Sequence, residues 1–86
     1  MNFDVVLSIT AENELVSLWN NPILGPLIAT AVRILNARLE RNATNEGESR
    51  TQNTRITFEF PLGMLFWVNE ESRRVVVLHV WAFRRR

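Results

Sequence analysis

Apolar and polar positions divide the chain into an opening extended stretch, two helical ones and three further extended ones. Phe3-Asp-Val-Val-Leu-Ser8 is β-branched and apolar with no helical spacing, which predicts an opening strand. Thr10 is suited to cap a helix whose first turn carries Glu12 and whose stripe is Ala11, Leu15, Leu18 and Trp19. Asn20-Asn21-Pro22 ends it, and Pro26 is placed to open a second, longer helix. There Leu27, Ile28, Ala31, Val32, Ile34, Leu35 and Leu39 form one broad arc, with Arg33, Asn36 and Glu40 opposite.

Asn42 to Thr54 has Ala43 as its only hydrophobic residue, so it is expected to be a mobile polar loop. From Arg55 the period becomes two: Ile56, Phe58 and Phe60 alternate with Arg55, Thr57 and Glu59, predicting a strand with one wet face. Pro61-Leu62-Gly63 breaks that strand. Met64 to Val68 is continuously apolar, as a central strand would be, and Asn69-Glu-Glu-Ser72 supplies the turn into a last strand, Arg74 to Phe83. Regular alternation would put Val75, Val77, His79, Trp81 and Phe83 on one face of it. Trp19 and Trp67 are expected to be packing residues and Trp81 to be exposed. The predicted order is β-α-α-β-β-β. It implies a two-layer α+β fold in which two N-terminal helices pack on a small, mainly antiparallel sheet whose other face is partly open.

Length sets the scale of any site. Eighty-six residues suit one compact domain, 1–86, with a site on a face and no deep cleft. With no cysteine and a single histidine, His79, thiolate chemistry is excluded and neither a metal nor another cofactor is expected. No basic-then-apolar leader or membrane-length apolar run is present, so a cytoplasmic protein without membrane attachment is expected.

Charge is unevenly placed. Residues 1–32 carry −3 and residues 33–86 carry +4, every cation is arginine, and Arg73 to Arg86 holds five arginines and no acid. Arginine's rigid fork suits phosphate, so this end is a candidate anion site; the alternative role of the Arg84-Arg85-Arg86 tail is to keep an apolar last strand soluble. Arg73 and Arg74 sit beside Glu70 and Glu71, where local ion pairing is the ordinary outcome.

Four passages together resemble the RelE/ParE toxin superfamily of bacterial type II toxin–antitoxin systems. They are Phe3-Asp-Val-Val-Leu-Ser8 leading into Ala11-Glu-Asn-Glu-Leu15, Arg55-Ile-Thr-Phe58 after a polar loop, Gly63-Met-Leu-Phe-Trp-Val-Asn69, and Arg73-Arg-Val-Val-Val-Leu-His-Val80 running into arginines. The resemblance implies a toxin-like component with a cognate antitoxin. In its RelE-like form it implies a ribosome-dependent messenger-RNA endonuclease. The alternative is a non-enzymatic interaction module, either a ParE-like inhibitor of DNA gyrase or an inactive relative that binds only its antitoxin.

Metal-free cleavage by the RNA's own 2′-hydroxyl needs proton transfer and cations on the phosphorane. Arginine exchanges protons too reluctantly to be the base, which leaves His79 or Glu59, with Arg84 matching the basic residue the family carries after the last strand. Arg55, Arg73, Arg85 and Arg86, with Trp81 and Phe83 as an aromatic step, are the candidate RNA- or partner-binding residues. The chain departs from the RelE-like pattern at Gly63 and Met64, where an arginine is usual, and in having no tyrosine.

Overall fold

The structure, a computed structural model, describes residues 2–84. β1 (Asp4–Leu7) leads into α1 (Ile9–Trp19) and α2 (Gly25–Asn42). A single 3₁₀ turn, Ala43–Asn45, precedes β2 (Glu48–Ser49), β3 (Thr54–Glu59), β4 (Leu62–Asn69) and β5 (Arg74–Ala82). The strands form one sheet in the order β1-β5-β4-β3-β2, with β1 parallel to β5 and every other pair antiparallel. This is the expected two-layer α+β architecture, with one strand more than the hydrophobic pattern revealed.

The additional strand lies in the segment read as a loop. Glu48 and Ser49 pair with Ile56 and Arg55 despite having no apolar side chain, because the backbone supplies the ladder. Gly47, at φ +69°, makes the approach possible: a Cβ there would stand 2.0 Å from the Ile56 carbonyl oxygen.

α1 begins two residues earlier than Thr10 predicts. Ser8 is the N-cap: its hydroxyl oxygen accepts from the Ala11 N–H at 3.0 Å and donates to the Leu78 carbonyl at 3.1 Å. Thr10 satisfies no helix donor, whereas Ser8 both caps the helix and ties it to β5. Asn21 holds the turn between the helices, its Oδ1 accepting from the N–H groups of Ile23 and Leu24, each at 2.9 Å. The predicted α1 stripe is half correct. Ala11 and Leu15 are buried, but Trp19 is 45% exposed, because the chain turns away at Asn20 before α2 can cover it.

The core lies between the helices and one face of the sheet. Ile28, Ala31, Leu35 and Leu39 of α2 meet Leu62, Met64, Phe66 and Val68 of β4, with Val75, Val77 and Val80 of β5. Phe66, Ile28, Leu35, Leu39, Leu62, Val75 and Val77 are among the largest fully buried side chains. Burial of such side chains at about 1.5–3 kcal/mol each is the main force holding the layers together.

β3 presents the opposite face to that expected, and β5 breaks its expected alternation. In β3 the residues paired across from buried Met64 and Phe66 are Thr57 and Arg55, so Arg55, Thr57 and Glu59 point to the helix layer. Ile56 and Phe58 point away from it. Thr57 is 3% exposed and donates its hydroxyl hydrogen to Glu46 Oε2 at 2.7 Å, so its burial leaves no polar group unsatisfied. In β5 a bulge intervenes: Leu65 pairs with His79 but Phe66 pairs with Val77, leaving Leu78 as an extra residue. Val75 and Val77 therefore face the core, and after the bulge Val80 does so, while His79 and Trp81 turn to the open face. No helix among the described residues is long and apolar enough to cross a membrane.

Candidate functional site on the open sheet face

The sheet face away from the helices carries Ile56 and Phe58 from β3, Leu65 and Trp67 from β4, and Val76, His79 and Trp81 from β5. Phe58 is 48% exposed and Trp67 and Trp81 are only partly covered. A shallow pocket of about 600 Å³ crosses this face. Its floor is Leu65 and Ile56; Glu14 and His79 stand on the β5 side, Arg50 and Thr51 on the β3 side, and Trp81 at one end.

Local geometry explains each wall. β1 ends at Leu7, so beyond Val77 the outer edge of β5 has no strand beside it. Ser8 and α1 take over that edge: the Ser8 N–H donates to the Val77 carbonyl at 2.9 Å, and the Val80 N–H donates to Glu14 Oε1 at 2.9 Å. The other Glu14 oxygen, Oε2, lies 3.3 Å from His79 Nδ1. A carboxylate only accepts, so this contact places the hydrogen on Nδ1 and leaves Nε2 for a visitor to the pocket. The His79 side chain is 52% exposed.

Trp81 is held from below and from the side. It lies over Gly63, where an added Cβ would come within 2.4 Å of the indole, and meets Phe58 edge to face at 6.1 Å. Phe58 in turn meets Phe83 at 5.5 Å, and Phe83 meets Phe60 at 5.7 Å, both edge to face. Four aromatic rings thus run from the open face around the β3–β4 turn.

The structure is similar to a chain of the RelBE2 toxin–antitoxin complex from Mycobacterium tuberculosis, with a TM-score of 0.77 and 23% identity over 98% of this chain and 100% of that one. It is also similar to a chain of the chromosomal ParDE TA system from P. aeruginosa, with a TM-score of 0.62 and 12% identity over 95% and 97% of the two chains. This chain shares its fold with both. No protein-family model and no curated protein matches the sequence.

On this fold the residues singled out in the sequence are not gathered at one place. His79 and Trp81 share the open face, and Phe83 continues from it. Glu59 lies on the opposite side of the sheet, in an ion pair with Arg38 of α2; the Arg38 guanidinium also reaches Glu46 Oε2 at 3.5 Å and donates to the Phe58 carbonyl at 3.3 Å. Arg55 is on that side too, donating to the carbonyls of Glu46 at 2.8 Å and Gly47 at 2.9 Å, so it clamps the segment that supplies β2. Arg73 is at the far end of β5, its guanidinium 4.1 Å from the centre of the Phe3 ring. Arg84 follows β5 at the other end, is exposed, and borders a groove of about 540 Å³ with Ile23, Phe60 and Phe83. Arg85 and Arg86 lie outside the described residues.

Sequence reasoning missed Glu14, Arg38 and Arg50. Glu14 reads as an ordinary first-turn acid of an amphipathic helix, and only the docking of α1 along the β5 edge brings it to His79, 65 residues away. Arg50 belongs to the segment read as a featureless loop. No signal in the local pattern marks either.

Proposed function

We infer that this chain is the toxin of a type II toxin–antitoxin pair, working in the cytoplasm, and that the open sheet face is where it engages RNA in the manner of a RelE-like messenger-RNA endonuclease. The observation that carries the reading is this face: uncovered by either helix, aromatic at one end, and bearing the chain's one imidazole where a substrate can reach it. Similarity of nearly the whole chain to chains from toxin–antitoxin assemblies supports an antitoxin partner. Aromatic rings stack on bases regardless of sequence, and Arg50 and Arg84, which form no ion pair among the described residues, are available to phosphates. The reaction needs no cofactor, because the nucleophile is the RNA's own hydroxyl.

The mainly apolar character of the same face favours a second reading, a ParE-like module that binds a protein such as DNA gyrase without cleaving anything, or a relative that binds only its antitoxin. Induced expression in bacteria with messenger-RNA 5′-end mapping, beside a gyrase supercoiling assay on the purified protein, separates them. New codon-positioned RNA ends with growth arrest are the expected result. Blocked supercoiling without RNA ends would move the protein to the gyrase branch, and neither effect would leave antitoxin binding alone.

A further inference from the structure

We propose that Glu14 and His79 form the proton-transfer pair of the open face, with His79 Nε2 the catalytic base toward an RNA 2′-hydroxyl and Glu14 the residue that positions the imidazole. The inference rests on the RNA-cleaving reading above and adds to it a residue from α1 that no sequence pattern marks.

Three observations meet at this pair. First, the bulge at Leu78 decides where the histidine goes. With Leu78 opposite Leu65 in an unbroken ladder, His79 would enter the helix side among the buried valines; the extra residue turns it onto the open face. Bulges next to active sites re-aim side chains in this way. Second, Glu14 is fixed independently of His79. Its Oε1 accepts from the Val80 N–H at 2.9 Å, on the β5 edge that β1 leaves without a strand, so Oε2 is presented to Nδ1 by an anchored carboxylate. Carboxylate-to-imidazole pairing sets the tautomer and the ring orientation, as general-base catalysis requires. Third, the pair borders a pocket of nucleotide size: Trp81 offers a stacking surface, and Arg50 stands across Leu65 and Ile56, where a phosphate of the same nucleotide would lie.

The step balances without a metal or an oxidant. The 2′-oxygen forms a bond to the adjacent phosphorus as its proton passes to Nε2, and the bond from phosphorus to the next nucleotide's 5′-oxygen breaks. Water protonates the departing oxygen, and the imidazolium returns its proton to the hydroxide so formed. The products are a 2′,3′-cyclic phosphate and a 5′-hydroxyl end.

The test uses the purified full chain with messenger RNA on programmed ribosomes and with the same RNA alone, reading 5′-hydroxyl ends. His79→Ala is expected to lower cleavage by about 10²–10⁴-fold, the usual contribution of a general base, with an unchanged melting curve. Glu14→Gln keeps an oxygen to accept from the Val80 N–H but loses the carboxylate. It is expected to lower kcat with little change in KM, and to move the ¹⁵N-detected His79 tautomer from Nδ1–H toward Nε2–H. Wild-type cleavage that His79→Ala retains would overturn the pair while leaving the RNA reading intact. A Glu14→Gln variant with unchanged kcat and an unchanged tautomer would remove Glu14 from it. Wild-type protein that yields no RNA ends in either format would overturn both.

Discussion

Gly63 and Trp81 offer a quantitative check on the open face. A Cβ added at Gly63 would sit 2.4, 2.6 and 2.7 Å from the indole Cε2, Nε1 and Cζ2 atoms. Apolar contacts settle near 3.5–4.0 Å, so Gly63→Ala must push the ring outward by about 1 Å. Displacing it also disturbs its edge-to-face contact with Phe58. Overpacking of this kind costs about 1–3 kcal/mol, offset by about 0.4–1 kcal/mol because alanine restricts the unfolded chain more than glycine does. The net expectation is a loss of about 0.5–2 kcal/mol. At a urea slope near 1 kcal/mol/M, that lowers the midpoint by about 0.5–2 M. The decisive comparison repeats the substitution on a Trp81→Ala background, where the three atoms nearest the added Cβ are gone and the entropic term dominates. There Gly63→Ala should stabilise by about 0.4–1 kcal/mol. Urea unfolding followed by far-ultraviolet circular dichroism measures all four proteins, since it does not depend on the indole removed. A loss of the same size on both backgrounds would refute the placement of Trp81 over Gly63.

Other outcomes follow from the packing and the polar contacts. Phe66→Ala, at a fully buried site, should cost about 3–5 kcal/mol in thermal or urea unfolding, a large share of the stability of a domain this small. Ser8→Ala removes both the α1 cap and the link to the Leu78 carbonyl and should cost about 1–2 kcal/mol by the same measurement. Arg38→Ala should cost about 1 kcal/mol or less, because the guanidinium is a third exposed, but it should speed amide hydrogen exchange across residues 43–50 by releasing Glu46. On the proposed RNA-engaging reading, Arg84→Ala should weaken RNA binding about equally for all sequences and reduce its salt dependence, read as the slope of log affinity against log salt concentration.

The hydrophobic pattern revealed the element order because each long element repeats its period several times over. α2, with its arc of Ile28, Ala31, Leu35 and Leu39, and the β4–β5 hairpin were legible for that reason. Orientation was not. Alternation in β3 shows that two faces differ, but an open face that is itself apolar removes the clue to which one is inward. Thr57 is short enough to be buried once Glu46 accepts its hydrogen, and Phe58 is left outside. The bulge was hidden because Val75 to Val80 is apolar almost throughout, and one added residue in such a run changes no composition. β2 was hidden because its pairing is a backbone matter that Glu48 and Ser49 do not advertise. Of the candidate site, His79 and Trp81 were legible as residues, whereas the approach of Glu14 depends on where α1 docks.

The parallel pairing of β1 with β5 has a consequence for the order in which the protein comes into being. β1 has no other strand beside it, and its pairing spans almost the whole chain: Asp4 pairs with Arg74, 70 residues later. A nascent chain can form α1 and α2 early, since their hydrogen bonds are local, but closing so long a loop is slow and gains nothing until β5 exists to receive it. The pocket inherits this delay, because Glu14 comes from the first quarter of the molecule and His79 from the last strand. Whatever the open face does, it can do only after β5 has left the ribosome, so synthesis and activity are separated in time by the topology of the sheet.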